Sequence, residues 1–256
     1  MTIYNIDMKI KYIICDLDDT LLKRDKTISA RTIEVFNKAK EKGLMIVFNT
    51  SRSMQNSMQY IEILKPTYGI YNGGCQIVDE NCKDLFTSMV SKEQTKEITK
   101  YLNTICDKIS VQTHDQFLAS DKEYKNQNAI WTDFTDGYEG EAFKILCHSE
   151  DHDKIENIAK DNNLEFQNYL NKGWHRLSTP GATKWNGVLR FLKVVGGKPE
   201  ECSCFGDDFG DMEMIEKSGC GVAMKNSQPE VLAIAKNVTL TNEEDGVADF
   251  VEKHFL

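Results

Sequence analysis

The first third of the chain alternates short apolar runs with polar stretches of helical length, and this restricts the fold more than any other property of the sequence. Tyr12-Ile13-Ile14-Cys15 and Leu44-Met45-Ile46-Val47-Phe48 are apolar throughout, the pattern of buried strands. Between them Ser29 can cap a helix reaching about Lys42, with Gly43 as its stop. A second helix is expected to about Leu64, ahead of Pro66, and Tyr68–Tyr71 leads into the turn Asn72-Gly73-Gly74. Strand–helix–strand–helix at this spacing predicts an α/β fold with a parallel sheet and right-handed crossovers. The C-terminal ends of such strands share one edge, where open α/β sheets hold their active sites. The first run ends there in Asp16-Leu17-Asp18-Asp19-Thr20-Leu21. Two aspartates at this spacing can act as nucleophile and acid/base partner, or share a hard cation. The same residues also suit an ordinary turn after a strand.

The middle of the chain reads differently. Ser91-x-x-Gln94 is a capping box opening a helix to about Asp107. Strands are expected near 110–113, 117–120, 142–147, 164–168 and 174–178, with a helix near His152–Asp161. This grouping predicts a small α+β layer over residues 80–180, inserted between the flanking segments 1–79 and 181–256. The first pattern then resumes. A helix over 183–194 ends at Gly196-Gly197, and a strand over 201–205 runs into Gly206-Asp207-Asp208-Phe209-Gly210-Asp211. Strands near 221–224 and 237–240 follow, with a helix after Pro229.

Composition narrows the function. With 40% hydrophobic and 28% charged residues over 256 positions, the chain can bury a real core. A net charge of −9 argues against a nucleic-acid partner, which requires clustered lysine and arginine, but leaves room for a small phosphorylated ligand. No apolar run approaches the roughly 18 residues of a membrane helix, so no membrane partner is expected. Met1–Lys11 lacks the apolar stretch of a signal peptide. Most of the eight cysteines sit in apolar segments, as buried free thiols do, and a cytoplasmic location fits.

Four features fall at strand ends or helix starts of the α/β part: Asp16 with Asp18, Thr50, Lys184, and Asp207 with Asp211. Taken singly, Thr50 closes a strand, Lys184 is a solvated lysine, and Asp207, Asp208 and Asp211 are N-terminal helix carboxylates. Brought to one sheet edge, they form a minimal set for phosphoryl transfer: aspartates to hold a hard cation, one lysine and one hydroxyl.

The ordered set resembles the haloacid dehalogenase superfamily, in particular its Cof-type phosphatases with an α+β (type IIB) cap. The matching phrases are Asp16-Leu17-Asp18-Asp19-Thr20-Leu21, Thr50 within Asn49-Thr50-Ser51-Arg52, Lys184, and Gly206-Asp207-Asp208-x-x-Asp211. Val222-Ala223-Met224-Lys225-Asn226-Ser227 and Glu244-Asp245-Gly246-Val247-Ala248 support the subgroup. The resemblance implies a Rossmann-like catalytic core with an inserted cap and a Mg²⁺-dependent phosphomonoester hydrolase. In that scheme Asp16 is the nucleophile and Asp18 the acid/base. Thr50, Ser51 and Lys184 hold phosphate. Mg²⁺ is bound by the Asp16 carboxylate, the Asp18 carbonyl and Asp207, with Asp211 and Asp208 in or near its outer shell. The roles ask Asp16, beside a dication and Lys184, to stay ionised and Asp18 to be able to hold a proton.

Three positions depart from the family pattern: Ser51 where glycine is common, Gly210 where asparagine is common, and bulky Trp185 after Lys184. Asp18 argues against a dehalogenase, and missing membrane helices against a transport ATPase. A sugar phosphomutase and a non-catalytic phospho-ligand sensor are the remaining alternatives. Sugar phosphates are the substrates that the resemblance favours, with His114, Trp131, Trp174, His175 and Arg176 as chemically suited cap residues.

Overall fold

A computed structural model describes residues 10–122, 129–169 and 173–256; positions 1–9, most of the N-terminal stretch read above, lie outside the described residues. The chain divides into two compact units, Met1–Phe86 with Thr183–Leu256, and Thr87–Ala182.

Strand β1 (Tyr12–Cys15) leads into helix α1 (Ala30–Glu41), whose N-cap Ser29 accepts the Thr32 N–H as the sequence predicts. Strand β2 (Met45–Asn49), helix α2 (Met58–Leu64) and strand β3 (Tyr68–Tyr71) follow. The hairpin β4 (Gln76–Asp79) and β5 (Asp84–Thr87) extends the same sheet. The sheet thus runs past the expected boundary at residue 80, because Asp79 and Lys83 close a tight turn with Cys82 left-handed (φ 61°).

The second unit holds α3 (Lys92–Leu102), β6 (Lys108–Gln112), β7 (Phe117–Ala119), β8 (Ala129–Trp131), β9 (Lys144–His148), α4 (His152–Asp161), β10 (Glu165–Tyr169) and β11 (Trp174–Ser178). Its sheet order is β10-β11-β9-β6-β7-β8. Helix α3 stops at Leu102 rather than near Asp107, since Asn103 and Thr104 prefer turns to helix interiors. Ser91 accepts the Gln94 N–H, but the Gln94 side chain donates to the Asn162 carbonyl, so only half the capping box forms.

The chain returns to the first unit with α5 (Lys184–Val195), β12 (Cys202–Gly206), α6 (Met212–Lys217), β13 (Cys220–Ala223), α7 (Pro229–Ile234), β14 (Asn237–Val238) and α8 (Gly246–Phe255). The large sheet has the order β14-β13-β12-β1-β2-β3-β4-β5, parallel from β14 through β3, with β4 antiparallel to β3. Period-two alternation sends Ile13, Cys15, Ile46 and Phe48 to one face, where they pack with Val35, Phe36, Tyr60, Val247 and Val251. Tyr12, Ile14, Val47 and Ile70 meet Trp185, Val188, Phe191 and Leu192 on the other. Both faces are covered, which explains the unbroken apolar runs. Trp185 is therefore a core residue of this face. Among the described residues, no helix is long and apolar enough to cross a membrane.

Candidate active site

The registers Ile14↔Val47 and Ile14↔Cys204 align β2, β1 and β12, so the chain leaves all three at one sheet edge. Asp16 follows β1, Thr50 follows β2, and Asp207 follows β12. After Asp16 a wide turn, Leu17–Leu21, closes through Leu22 N–H to the Leu17 carbonyl (2.8 Å). Within it Asp18 is extended and Asp19 is left-handed (φ 56°), a conformation that aspartate tolerates better than most residues.

Lys184 opens α5, which Thr183 caps by accepting the Asn186 N–H. Gly187 and Gly74 let α5 approach the turn after β3, since a Cβ on Gly187 would lie 2.8 Å from the Gly74 Cα. The Lys184 ammonium donates to Asp211 Oδ1 (2.7 Å) and sits 2.9 Å from Asp16 Oδ1. Asp211 Oδ2 accepts the N–H groups of Asp207 (3.0 Å) and Asp208 (3.2 Å). The Thr20 hydroxyl donates to Asp207 Oδ1 (2.6 Å), tying the first motif to the fourth. Gly206 is required here, because a Cβ would fall 2.3 Å from the Asp211 Cβ.

Asp16, Asp207 and Asp211 each place one carboxylate oxygen within 4.8 Å of the others. Asp16 and Asp211 are buried and Asp207 is half-buried. Burial pushes Asp16 up to about 7 against the pull of Lys184, and the Asp207 charge adds to the rise. Burial likewise raises Asp207 to about 7 despite the Thr20 hydrogen bond, and Asp211 to about 8 despite Lys184. Burial works against the Lys184 charge, but Asp16 and Asp211 outweigh it and hold the ammonium well above its usual value. One lysine against three carboxylates leaves the group short of positive charge. Its hard oxygen donors suit a dication such as Mg²⁺, which would supply that charge.

Asp18 lies in the opposite setting. Arg52 grips its carboxylate with two hydrogen bonds, Nε to Oδ2 (2.6 Å) and a terminal nitrogen to Oδ1 (2.8 Å), and Lys26 adds a third (2.9 Å). Partial burial acts to raise the Asp18 pKa, but the bonds from Arg52 and Lys26 prevail and hold it down to about 2. Arg52 also donates to the Asn56 carbonyl (3.2 Å) and lies 5.3 Å from the Tyr60 ring centre. The sequence places a dication as well as Lys184 beside Asp16 to keep it ionised, and Lys184 alone does not offset burial there. Asp18, expected to be able to hold a proton, is held ionised by Arg52 and Lys26. Burial and crowding act on Asp16, whereas two cations act on Asp18.

The remaining site residues take distinct places. Thr50 is buried, and its hydroxyl accepts the Arg52 N–H (3.2 Å). Ser51 follows, half-buried. Asp208 is exposed, accepts the Gly210 N–H (2.9 Å), and comes only within 3.9 Å of Lys184. Gly210 does not leave Lys184 loose, because Asp211 and Asp16 hold it. In the second unit Trp131, Trp174 and Arg176 share one face of the sheet, while His175 points to the other, stacked on Phe166 at 5.5 Å. His114 pairs with Asp115 (2.7 Å). Arg52 lies in the segment Asn49–Arg52 and Thr20 in Asp16–Leu21, but residue type and spacing give neither a role before the fold brings them to Asp18 and Asp207. Lys26 had no signal beyond its nearness to the first motif.

A sequence model of the haloacid dehalogenase-like hydrolase family matches residues 13–251. The 5-amino-6-(5-phospho-D-ribitylamino)uracil phosphatase YitU of Bacillus subtilis (strain 168) is 29% identical over 261 residues, covering 95% of this chain and 97% of its own length. The crystal structure of a haloacid dehalogenase-like hydrolase from Bacteroides thetaiotaomicron superposes with a TM-score of 0.83 at 24% identity, covering 96% of this chain and 100% of that one. The subclass IIB sugar phosphatase BT4131 superposes with a TM-score of 0.78 at 20% identity, covering 95% and 98%.

Proposed function

Because the chain belongs to the haloacid dehalogenase-like hydrolase family, and is an enzyme of its phosphatase type, we propose that it is a Mg²⁺-dependent phosphomonoester hydrolase working through an aspartyl-phosphate on Asp16. The observation that carries this reading is the meeting of Asp16, Asp207 and Asp211 around Lys184 at one sheet edge. Asp16, Asp207 and the Asp18 carbonyl would hold the ion, with Asp211 beside them. When bound, Mg²⁺ supplies charge neutralisation for the transferring phosphoryl group.

The chain's own groups do the rest. An Asp16 carboxylate oxygen attacks phosphorus as the bond to the leaving oxygen breaks. Lys184 and the Thr50 hydroxyl, with Ser51 beside it, hold the non-bridging oxygens. Asp18 gives its proton to the leaving oxygen, then takes one from the water that attacks the aspartyl-phosphate. Inorganic phosphate leaves and the Asp16 carboxylate returns. To serve as acid, the Asp18 carboxyl must swing off Arg52 and Lys26 and acquire a proton. Thr87–Ala182 serves as the cap domain in this reading.

The substrates we propose are small phosphorylated metabolites such as sugar phosphates. YitU, named for a phosphoribityl substrate, supports a polyhydroxylated phosphomonoester. All eight cysteines are free, most of them buried, in keeping with the cytoplasmic setting proposed here. The test is phosphate release from p-nitrophenyl phosphate with Mg²⁺. Asp16→Asn is expected to lower turnover by roughly a thousandfold or more; unaltered turnover in that variant rejects the nucleophile.

A further inference from the structure

Two C-terminal phrases singled out in the sequence have so far had no part in the chemistry: the segment ending at Asn226-Ser227 and the one around Glu244-Asp245. Both converge on the turn that carries Asp18. Asn226 Nδ2 donates to the Asp19 carbonyl (2.7 Å). Asn226 Oδ1 accepts the Asn242 N–H (3.0 Å), and Asn242 Nδ2 donates to the Leu22 carbonyl (2.9 Å). Just beyond the turn, Glu243 accepts the Arg24 N–H (2.7 Å) through its carboxylate and Lys23 (3.1 Å) through its carbonyl.

The two asparagines thus bond one another, and each holds a carbonyl of the segment between Asp18 and Leu22. Asp19 needs such a hold. Its left-handed backbone, tolerated by aspartate, turns the chain sharply there, and a turn carbonyl without a partner is free to rotate. Rotation of the Asp19–Thr20 peptide, whose carbonyl Asn226 holds, would shift the Asp19 backbone and, through it, the segment that carries Asp18.

We propose that Asn226 and Asn242 are positioning residues, which fix the backbone on the C-terminal side of Asp18 so that only its side chain moves between Arg52 and the leaving group. This rests on the reading of Asp18 as the acid. It also predicts a selective defect. Proton donation matters most when the leaving group is poor, and little when it is good. Phenyl phosphate and p-nitrophenyl phosphate share a shape and differ in leaving-group basicity.

The experiment compares kcat/KM for these two esters in the wild type, Asn226→Ala and Asn226→Asp. Asn226 is exposed, so its replacement spares the core; Asn226→Asp keeps the acceptor facing Asn242 and loses the donor to Asp19. The expected result is a loss on phenyl phosphate roughly tenfold greater than on p-nitrophenyl phosphate in both variants. A merely structural role would lower both esters alike. Equal losses, or none, overturn the inference while leaving the function reading intact. Full activity of Asp16→Asn would instead overturn the function reading itself.

Discussion

Asp16 and Asp18 stand two residues apart in one turn, yet the fold gives them opposite surroundings. Asp16 is buried with two other carboxylates and one lysine, so its ionised form is disfavoured until more positive charge arrives. Asp18 keeps 37% of its side chain exposed and is held ionised by Arg52 and Lys26. The difference separates a site that must gather charge from a carboxyl group that must change partners. Phosphoryl transfer needs both kinds of aspartate, and the partners each one meets, Lys184 for Asp16 and Arg52 with Lys26 for Asp18, set them apart.

The largest effect should come from the buried side of this comparison. Lys184→Met removes the cation between Asp16 and Asp211, and turnover is expected to fall by roughly a hundredfold or more. Breaking a buried network of this kind should also cost about 3–5 kcal/mol, readable by urea unfolding. Wild-type stability and turnover would show that the lysine is not the counter-charge of the group. Gly206→Ala comes next. Its Cβ would displace Asp211, and a shift of that size is expected to slow turnover about a hundredfold without changing charge.

The pH dependence of stability sharpens the contrast, because its two halves have opposite signs. Asp16, Asp207 and Asp211 have raised values in the folded chain, so their contribution is full below about pH 4 and lost as pH rises through about 7 to 8. Asp18 is lowered, so its contribution is present above about pH 4 and lost as pH falls through about 2. In EDTA the unfolding midpoint should therefore fall between about pH 5 and pH 8, and Mg²⁺ should reverse that fall at the higher pH. A midpoint indifferent to Mg²⁺ at every pH would break the comparison. The smallest effect belongs to the exposed side. Arg52→Met should cost only about 0.2–1 kcal/mol near neutral pH, as partly exposed ion pairs do.

How much of this was legible in the sequence follows from burial. The central strands of the large sheet are covered on both faces, so Tyr12–Cys15 and Met45–Asn49 read as strands from apolar content alone. The smaller sheet packs Ile109, Val111, Ile145, Cys147 and Leu177 against α3 and α4 on one face only. Its other face carries polar residues such as Lys144, Ser110 and Arg176, so strand bounds there shifted by a residue or two, and β8 went unread. The meeting of Asp16 and Asp207 was legible because parallel topology sends the ends of β1 and β12 to one edge, and Asp211 and Lys184 were placed there by the helix starts that carry them. The grip of Arg52 and Lys26 on Asp18 was not, because it depends on side-chain directions in a turn whose left-handed residue no motif specifies. The hold of Asn226 and Asn242 on that turn was hidden for another reason: the partners are joined only by tertiary folding, across 207 and 220 positions of sequence.

The account stands on Asp16 taking the phosphoryl group. Its most direct test is a rapid quench during turnover of p-nitrophenyl phosphate, with borohydride reduction of any acyl phosphate and mass spectrometry of the peptide spanning Asp16. Homoserine at position 16, absent when substrate is left out, is the predicted result. Sustained phosphate release with residue 16 unreduced, or with the label on another carboxylate, would contradict it.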